Sequence, residues 1–132
     1  MRIILLFTAI VILGGAALFF QAGSKTKVAT PDELIIPTFS VQAELGKDNF
    51  GTFCIACHGE NATGTDQGPP LINIIYESSH HGDQAFLNAA LNGVRAHHWR
   101  FGNMPPVEGI RPEQVQTIIT YVRELQRANG IQ

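Results

Sequence analysis

The stretch from Phe53 to Glu60, FCIACHGE, contains both cysteines of the chain, Cys54 and Cys57, and His58 follows them directly. In a helix, side chains three residues apart lie on the same face, so the two thiols and the imidazole fall close together. Four chemistries use such a pair: a redox dithiol, half of a zinc site, a structural disulfide, and the covalent attachment of a haem. The rest of the chain has to distinguish between them.

The spacing Cys-x-x-Cys-His is the attachment signature of c-type haem. Thiols on one helical turn can reach the two vinyl groups of a single porphyrin, and the adjacent histidine is then held beneath the iron. Cys54 and Cys57 are therefore predicted to anchor one covalent haem c through thioether bonds, and His58 is predicted to be an axial ligand of its iron.

The other three chemistries fit less well. A thioredoxin-type dithiol requires a βαβ pattern, which the sequence lacks. A structural disulfide would leave His58 without a role. A zinc site would need two further ligands from the other histidines, which occur as adjacent pairs rather than at the usual His-x3–5-His spacing, a pattern that suits zinc poorly. Those histidines are His80, His81, His97 and His98.

A second axial ligand is predicted at Met104, the only methionine besides the initiator. It stands in FGNMPP (101–106), where Pro105 and Pro106 stiffen the segment that presents the thioether. A methionine in a Gly/Pro loop, rather than on an apolar helix face, favours ligation over gap-filling in a core. His97 and His98 are the rival ligands.

Three helices are predicted in residues 41–132, and no stretch there alternates convincingly as a strand, so the fold class is all-α. The first runs from Val41 to about Phe53; the second covers Asp83 to Asn92, with Asp83 as its N-cap; the third runs from Pro112 to about Ala128. Long Gly/Pro segments separate them. Because three short helices bury little surface by themselves, a large apolar ligand is expected to complete the core.

The N-terminus has a different character. Residues Ile3 to Phe20 form an uncharged run that is apolar apart from Thr8, and 18 helical residues rise about 27 Å, close to the thickness of the hydrocarbon layer. Residues 1–22 are predicted to be a single uncleaved membrane anchor, in preference to a cleaved signal peptide. Residues 23–40 are predicted to be a tether, although Leu34–Ile36 could instead pack on the domain, and residues 41–132 the globular domain.

The charge of the domain is mild. Residues 41–132 contain six Lys or Arg and nine Asp or Glu, a balance of −3, without a basic stripe. This pattern argues against a nucleic-acid partner.

Residues 41–132 resemble a class I monohaem cytochrome c, and four segments in order carry the resemblance. They are LGKDNFGTFCIACHGE (45–60), GPPL (68–71), GNMPP (102–106) and ITYVRELQRANGI (119–131). The resemblance implies about three to five helices wrapped around one covalently bound haem. It also implies that the first and last helices cross, with Gly46, Phe50 and Tyr121 at the contact.

The resemblance further implies roles around the cofactor. The Pro69 carbonyl is expected to accept the ring N–H of His58, and Leu71 is expected to pack on the haem. Trp99 and Arg100 are candidates to approach the haem propionates, Arg100 because a guanidinium matches carboxylate geometry.

The implied function is electron transfer rather than catalysis, with protein redox partners and no small-molecule substrate. A haem subunit of a larger oxidoreductase is one alternative. A ligand-binding or peroxidase-like haem protein is another, if Met104 is displaceable. Because haem is attached to such cytochromes outside the bacterial cytoplasm, the expected location is the inner membrane, crossed once, with the haem domain in the periplasm.

Overall fold

The computed structural model describes residues 34–132. In this part of the chain the α-helices are α1 (Val41–Phe53), α2 (Ile55–His58), α3 (Asp83–Asn92) and α4 (Pro112–Ala128), and the 3-10 helices are Glu60–Ala62 and Ile74–Tyr76. The same residues contain no strand, only an isolated antiparallel bridge between Val94 and Met104. The prediction of an all-α domain is confirmed.

The three long helices have the bounds predicted from the sequence, but the start of α3 differs in one detail. Its N-cap is Gly82, and Asp83 is the first helical residue. The Asp83 carboxylate is engaged elsewhere, because its Oδ1 accepts a hydrogen bond from Arg123 Nε at 2.8 Å. An acidic side chain in the first turn still favours the helix, since it faces the positive end of the helix dipole.

Helices α1 and α4 cross at the contact that the resemblance implied. Gly46 lies against the main-chain carbonyl of Thr117, and the Phe50 and Tyr121 rings lie 5.5 Å apart. Both rings are almost fully buried, at 1% exposure each. Asn49, near the end of α1, bonds the side chains of Gln114 and Thr117, so the Cys-x-x-Cys-His motif follows a part of α1 that lies against the N-terminal part of α4.

Residues 34–40 lie along α4, but of Leu34–Ile36 only Leu34 packs partly buried on the domain, whereas the side chains of Ile35 and Ile36 are exposed. The main chain of Ile35 exchanges two hydrogen bonds with the Asn129 side chain, at 2.9 and 2.8 Å. Ser40 donates from its main-chain N–H and its hydroxyl to the Glu124 carboxylate, at 3.0 and 2.7 Å. Leu34 and Phe39 pack partly buried against the core. The described end of the predicted tether is therefore docked on the domain.

Arg123 connects α4 to the segment that precedes α3. Besides Asp83, its guanidinium donates to the main-chain carbonyls of Tyr76 at 2.6 Å and His81 at 2.5 Å. Its side chain is only 10% exposed. A buried guanidinium with several acceptors fixes the backbone around it, because each unmade bond would leave a buried polar group unpaired.

The predicted membrane anchor, residues 1–22, lies outside the described residues. Within residues 34–132, no helix combines the length and the apolar character needed to cross a bilayer.

Candidate cofactor site

A cavity of about 450 Å³ lies between the Cys-x-x-Cys-His motif, α3, α4 and the segment that joins the last two helices. This volume is in the range of ligand pockets. The walls are mostly apolar, with contributions from Phe50, Phe86 and Ile118 among others. The cavity thus occupies the place where the sequence analysis expected a large apolar ligand to complete the core.

The structure brings most of the predicted site residues to this cavity. Six of the eight line it, whereas Cys57 and Arg100 are exposed and do not contribute to its wall. The six are Cys54, His58, Pro69, Leu71, Trp99 and Met104.

Cys54 lies between α1 and α2 as the N-cap of α2 and is half-buried, whereas Cys57 lies within α2 and is exposed. Burial, and then the charge of Cys57, raises the pKa of the Cys54 thiol to about 12. A catalytic dithiol needs a lowered pKa to supply a thiolate, so this environment disfavours a redox dithiol. A Cβ atom at Gly68 would lie 2.8 Å from the Cys57 carbonyl oxygen, which explains a glycine at the start of GPPL.

His58 is buried, and its orientation is fixed by one hydrogen bond. Its Nδ1 lies 2.9 Å from the Pro69 carbonyl oxygen. Because a carbonyl can only accept, Nδ1 carries the proton and Nε2 keeps its lone pair. Burial lowers the pKa of His58, although the hydrogen bond to Pro69 opposes the effect. A neutral, oriented imidazole is the form that ligates a metal.

Met104 lies far along the chain from the Cys-x-x-Cys-His motif, in the segment between α3 and α4. Its main chain forms a two-way bridge with Val94, with both N···O distances at 2.9 Å. The side chain is half-buried and lines the cavity. The cavity wall therefore offers the His58 imidazole and the Met104 thioether, each on a backbone segment fixed by hydrogen bonds. The imidazoles of His81, His97 and His98 also line the cavity, so the two rival ligands named in the sequence analysis lie at its wall as well.

The environment of Trp99 indicates what kind of ligand fits the cavity. Its indole Nε1–H is buried and has no hydrogen-bond partner of good geometry among the described residues, although the Tyr76 side chain lies close to it. An unpaired buried N–H costs about 1–3 kcal/mol, so the site favours an occupant that brings an acceptor. An apolar ring system with carboxylate substituents, as in haem, fits a cavity with apolar walls and one orphan donor.

Several cavity residues were not predicted as site residues. Val115, Ile118 and Ile119 of α4 line the cavity, although the sequence analysis placed α4's stripe simply in the core. Phe86 of α3 does the same, and helical periodicity identifies its face but not what the face covers. His81 also lines the cavity, and nothing in the periodicity of the sequence indicates it.

The family model described as Cytochrome c matches residues 43–126. The matched range includes all of α2 and α3, and all but two residues each of α1 and α4. No curated protein sequence matches the chain.

Proposed function

The chain belongs to the cytochrome c family, whose members bind covalent haem c and transfer electrons, and from this premise we propose that His58 and Met104 are the two axial ligands of its haem iron. Cys54 and Cys57 provide the thioether bonds. When bound, the haem supplies an iron that takes up and releases one electron, as Fe(III) and Fe(II). The family is generally one of electron carriers rather than enzymes, and we propose the same role here.

The observation that carries the proposal is the convergence of His58 and Met104 on one apolar cavity that Cys54 also lines. Their supports differ, because the Pro69 carbonyl orients the imidazole while the bridge to Val94 fixes the backbone of Met104. Hydrogen bonding to the imidazole raises its basicity, and a soft thioether favours ferrous iron, which raises the reduction potential.

Two further residues complete the binding of the cofactor. Trp99 Nε1–H, which has no partner of good geometry among the described residues, would donate to a haem propionate. Leu71 and the apolar side chains of α4 that line the cavity would exclude water from the ring. Arg100 is exposed and outside the cavity wall, so any effect it has on the propionates acts from the rim.

The partners proposed are redox proteins, a donor and an acceptor, that dock transiently near the cavity mouth, since electron-transfer encounters use small and weak interfaces. We propose further that residues 1–22 anchor the chain in the bacterial inner membrane and that the domain faces the periplasm. The apolar run of residues 3–20 supports the anchor.

The ligand assignment is tested on the haem-loaded chain. The ferric protein should have the charge-transfer band of methionine-ligated haem, and the reduced protein should not bind carbon monoxide rapidly. Met104→Ala should keep its haem, lose the band, bind carbon monoxide and have a lower potential. His97→Ala is the matched control, since His97 is a rival ligand, and should behave as wild type.

Rapid carbon monoxide binding by the wild type would contradict the closed His/Met site and favour the ligand-binding alternative. A free carrier and a subunit of a larger oxidoreductase are separated by purification from native membranes, because a subunit co-purifies with its complex at fixed stoichiometry.

A further inference from the structure

Four histidines outside the motif form one cluster on the surface. His80 and His81 precede α3, whereas His97 and His98 follow it, and the fold brings the two pairs together. One ligating nitrogen from each of His80, His81 and His98 lies within 4.8 Å of the other two. The sequence analysis considered these histidines only as partners of Cys54 and Cys57 in a zinc site, and its argument from spacing along one helix does not apply to ligands that come from two loops.

The closest pair in the cluster has the separation of two metal ligands. His80 Nε2 and His98 Nε2 lie 3.3 Å apart. With metal–nitrogen bonds of about 2.0–2.1 Å and tetrahedral angles, two imidazole nitrogens on one ion lie about 3.3–3.4 Å apart. A cation between these nitrogens would accept both lone pairs, which otherwise face each other unless one ring donates a proton.

His81 has the outer contacts that orient a metal-binding imidazole. Its Nδ1 lies 2.7 Å from the Ile75 carbonyl oxygen, so Nδ1 carries the proton and Nε2 is left as the ligand atom. Metal-ligating histidines usually donate their other ring N–H in this way. The Arg123 guanidinium binds the His81 carbonyl, and the Tyr76 ring lies 5.3 Å from the imidazole. One ligand of the three is thus fixed before any ion binds.

The chemistry of the cluster indicates the class of ion. The donors are all imidazole nitrogens, which suit zinc, copper and nickel and are poor ligands for magnesium or calcium. His80 and His98 are exposed, so an ion reaches them directly from solvent.

We propose that His80, His81 and His98 form a binding site for a divalent transition-metal ion of the zinc and copper class, separate from the Cys-x-x-Cys-His motif. Three protein ligands leave a coordination position open to water or to a donor group of another molecule. His81 and His98 also line the large cavity, so the bound ion lies at its edge.

The site is tested on the haem-loaded chain, freed of adventitious metal with a chelator and titrated with Zn²⁺ by calorimetry. The wild type should bind one Zn²⁺ per chain. His80→Ala and His98→Ala should each weaken the affinity at least tenfold. His97→Ala is the matched control, because His97 belongs to the cluster but not to the trio, and should stay within about threefold of wild type.

A second measurement identifies the ligands and is independent of haem content, which is determined separately by absorbance. Electron paramagnetic resonance of the Cu²⁺-loaded chain should show coupling to three nitrogens in the wild type and to two in His80→Ala. An absence of saturable Zn²⁺ binding by the wild type would overturn the proposal. So would a loss of affinity in His97→Ala equal to that in His98→Ala, or a Cu²⁺ spectrum unchanged by His80→Ala.

Discussion

Gly46 of α1 lies directly against the main-chain carbonyl of Thr117 in α4, and no Cβ atom fits between them. A Cβ there would also lie 3.0 Å from Cβ of Tyr121. Because the obstruction is backbone in a helix, it cannot rotate away as a side chain does. This contact explains a glycine in the middle of a helix, where glycine is otherwise unfavourable.

Gly46→Ala should therefore destabilise the domain by about 1–3 kcal/mol or more, because the two helices must move apart. Gly51→Ala is the matched control on the same helix, where a Cβ meets nothing within 4 Å. There alanine should add about 0.5–1 kcal/mol through its helix propensity. Denaturant unfolding of both haem-loaded variants measures the difference, and equal stabilities would contradict the close crossing.

Arg123→Met should cost about 2–5 kcal/mol of unfolding free energy. The change leaves the partly buried His81 carbonyl without its donor, leaves the Tyr76 carbonyl with only Gln126 Nε2 at 3.1 Å, and breaks the pair with Asp83. Arg127→Met, on an exposed position of the same helix, should change stability by less than about 0.5 kcal/mol. If thermal and denaturant unfolding gave the two variants similar stabilities, the network around Arg123 would have no energetic importance.

The raised pKa of Tyr121 leads us to expect a loss of stability at alkaline pH. Burial, and then the charges of Glu60 and Glu44, raises its pKa from 10.0 to about 12. The folded state thus holds the phenol proton more tightly than the unfolded state. This contribution is fully present below pH 10 and is lost as the pH rises from 10 towards 12, by at most about 1.4 kcal/mol per unit.

Unfolding free energies measured between pH 9 and pH 12 check this expectation. Tyr121→Phe should flatten the decline relative to wild type. Burial also raises the pKa of Tyr76, so Tyr76→Phe serves as a comparison for the other tyrosine. A decline in Tyr121→Phe as steep as in wild type would show that this phenol does not cause it.

Trp99→Phe should lower the reduction potential of the haem-loaded chain. Loss of the indole N–H leaves a propionate charge less stabilised, and a more negative surrounding favours Fe(III). The expected fall is roughly 30–60 mV, which corresponds to about 1 kcal/mol for one electron. Phe101→Leu is the control, because its ring neighbours Trp99 at 6.1 Å but carries no donor. Spectroelectrochemical titration measures the potentials of both variants. A potential of Trp99→Phe equal to that of wild type would show that Trp99 does not stabilise the propionate.

Zn²⁺ should raise the reduction potential, since a cation at the cavity edge favours the less positive Fe(II) state. By linkage, reduction should tighten Zn²⁺ binding by the same factor, and each tenfold corresponds to about 59 mV. Titrations of wild type with and without Zn²⁺ measure the shift, which should vanish in His98→Ala. A shift that persists in His98→Ala would mean that the ion acts from elsewhere.

Local sequence patterns predicted what depends on neighbouring residues, and the family resemblance added distant contacts such as Gly46 with Tyr121, but neither indicated contacts that are particular to this chain. The bounds of α1, α3 and α4 follow from local caps, stripes and breakers, and the motif around Cys54 is contiguous. The docking of Ile35 on Asn129 joins residues 94 positions apart. The histidine cluster likewise forms only when the segments before and after α3 come together, so no local sequence pattern predicts it.

The hydrogen bonds from Ile35 and Ser40 to α4 also limit how far the domain travels. If residues 1–22 sit in a bilayer as proposed, only residues 23–33 separate the anchor from chain that is bonded to the domain. Eleven residues reach at most about 40 Å when fully extended. Any donor or acceptor must then present its docking face within roughly that height of the lipid. The short linker therefore restricts the redox partners to proteins whose docking face lies close to the membrane surface.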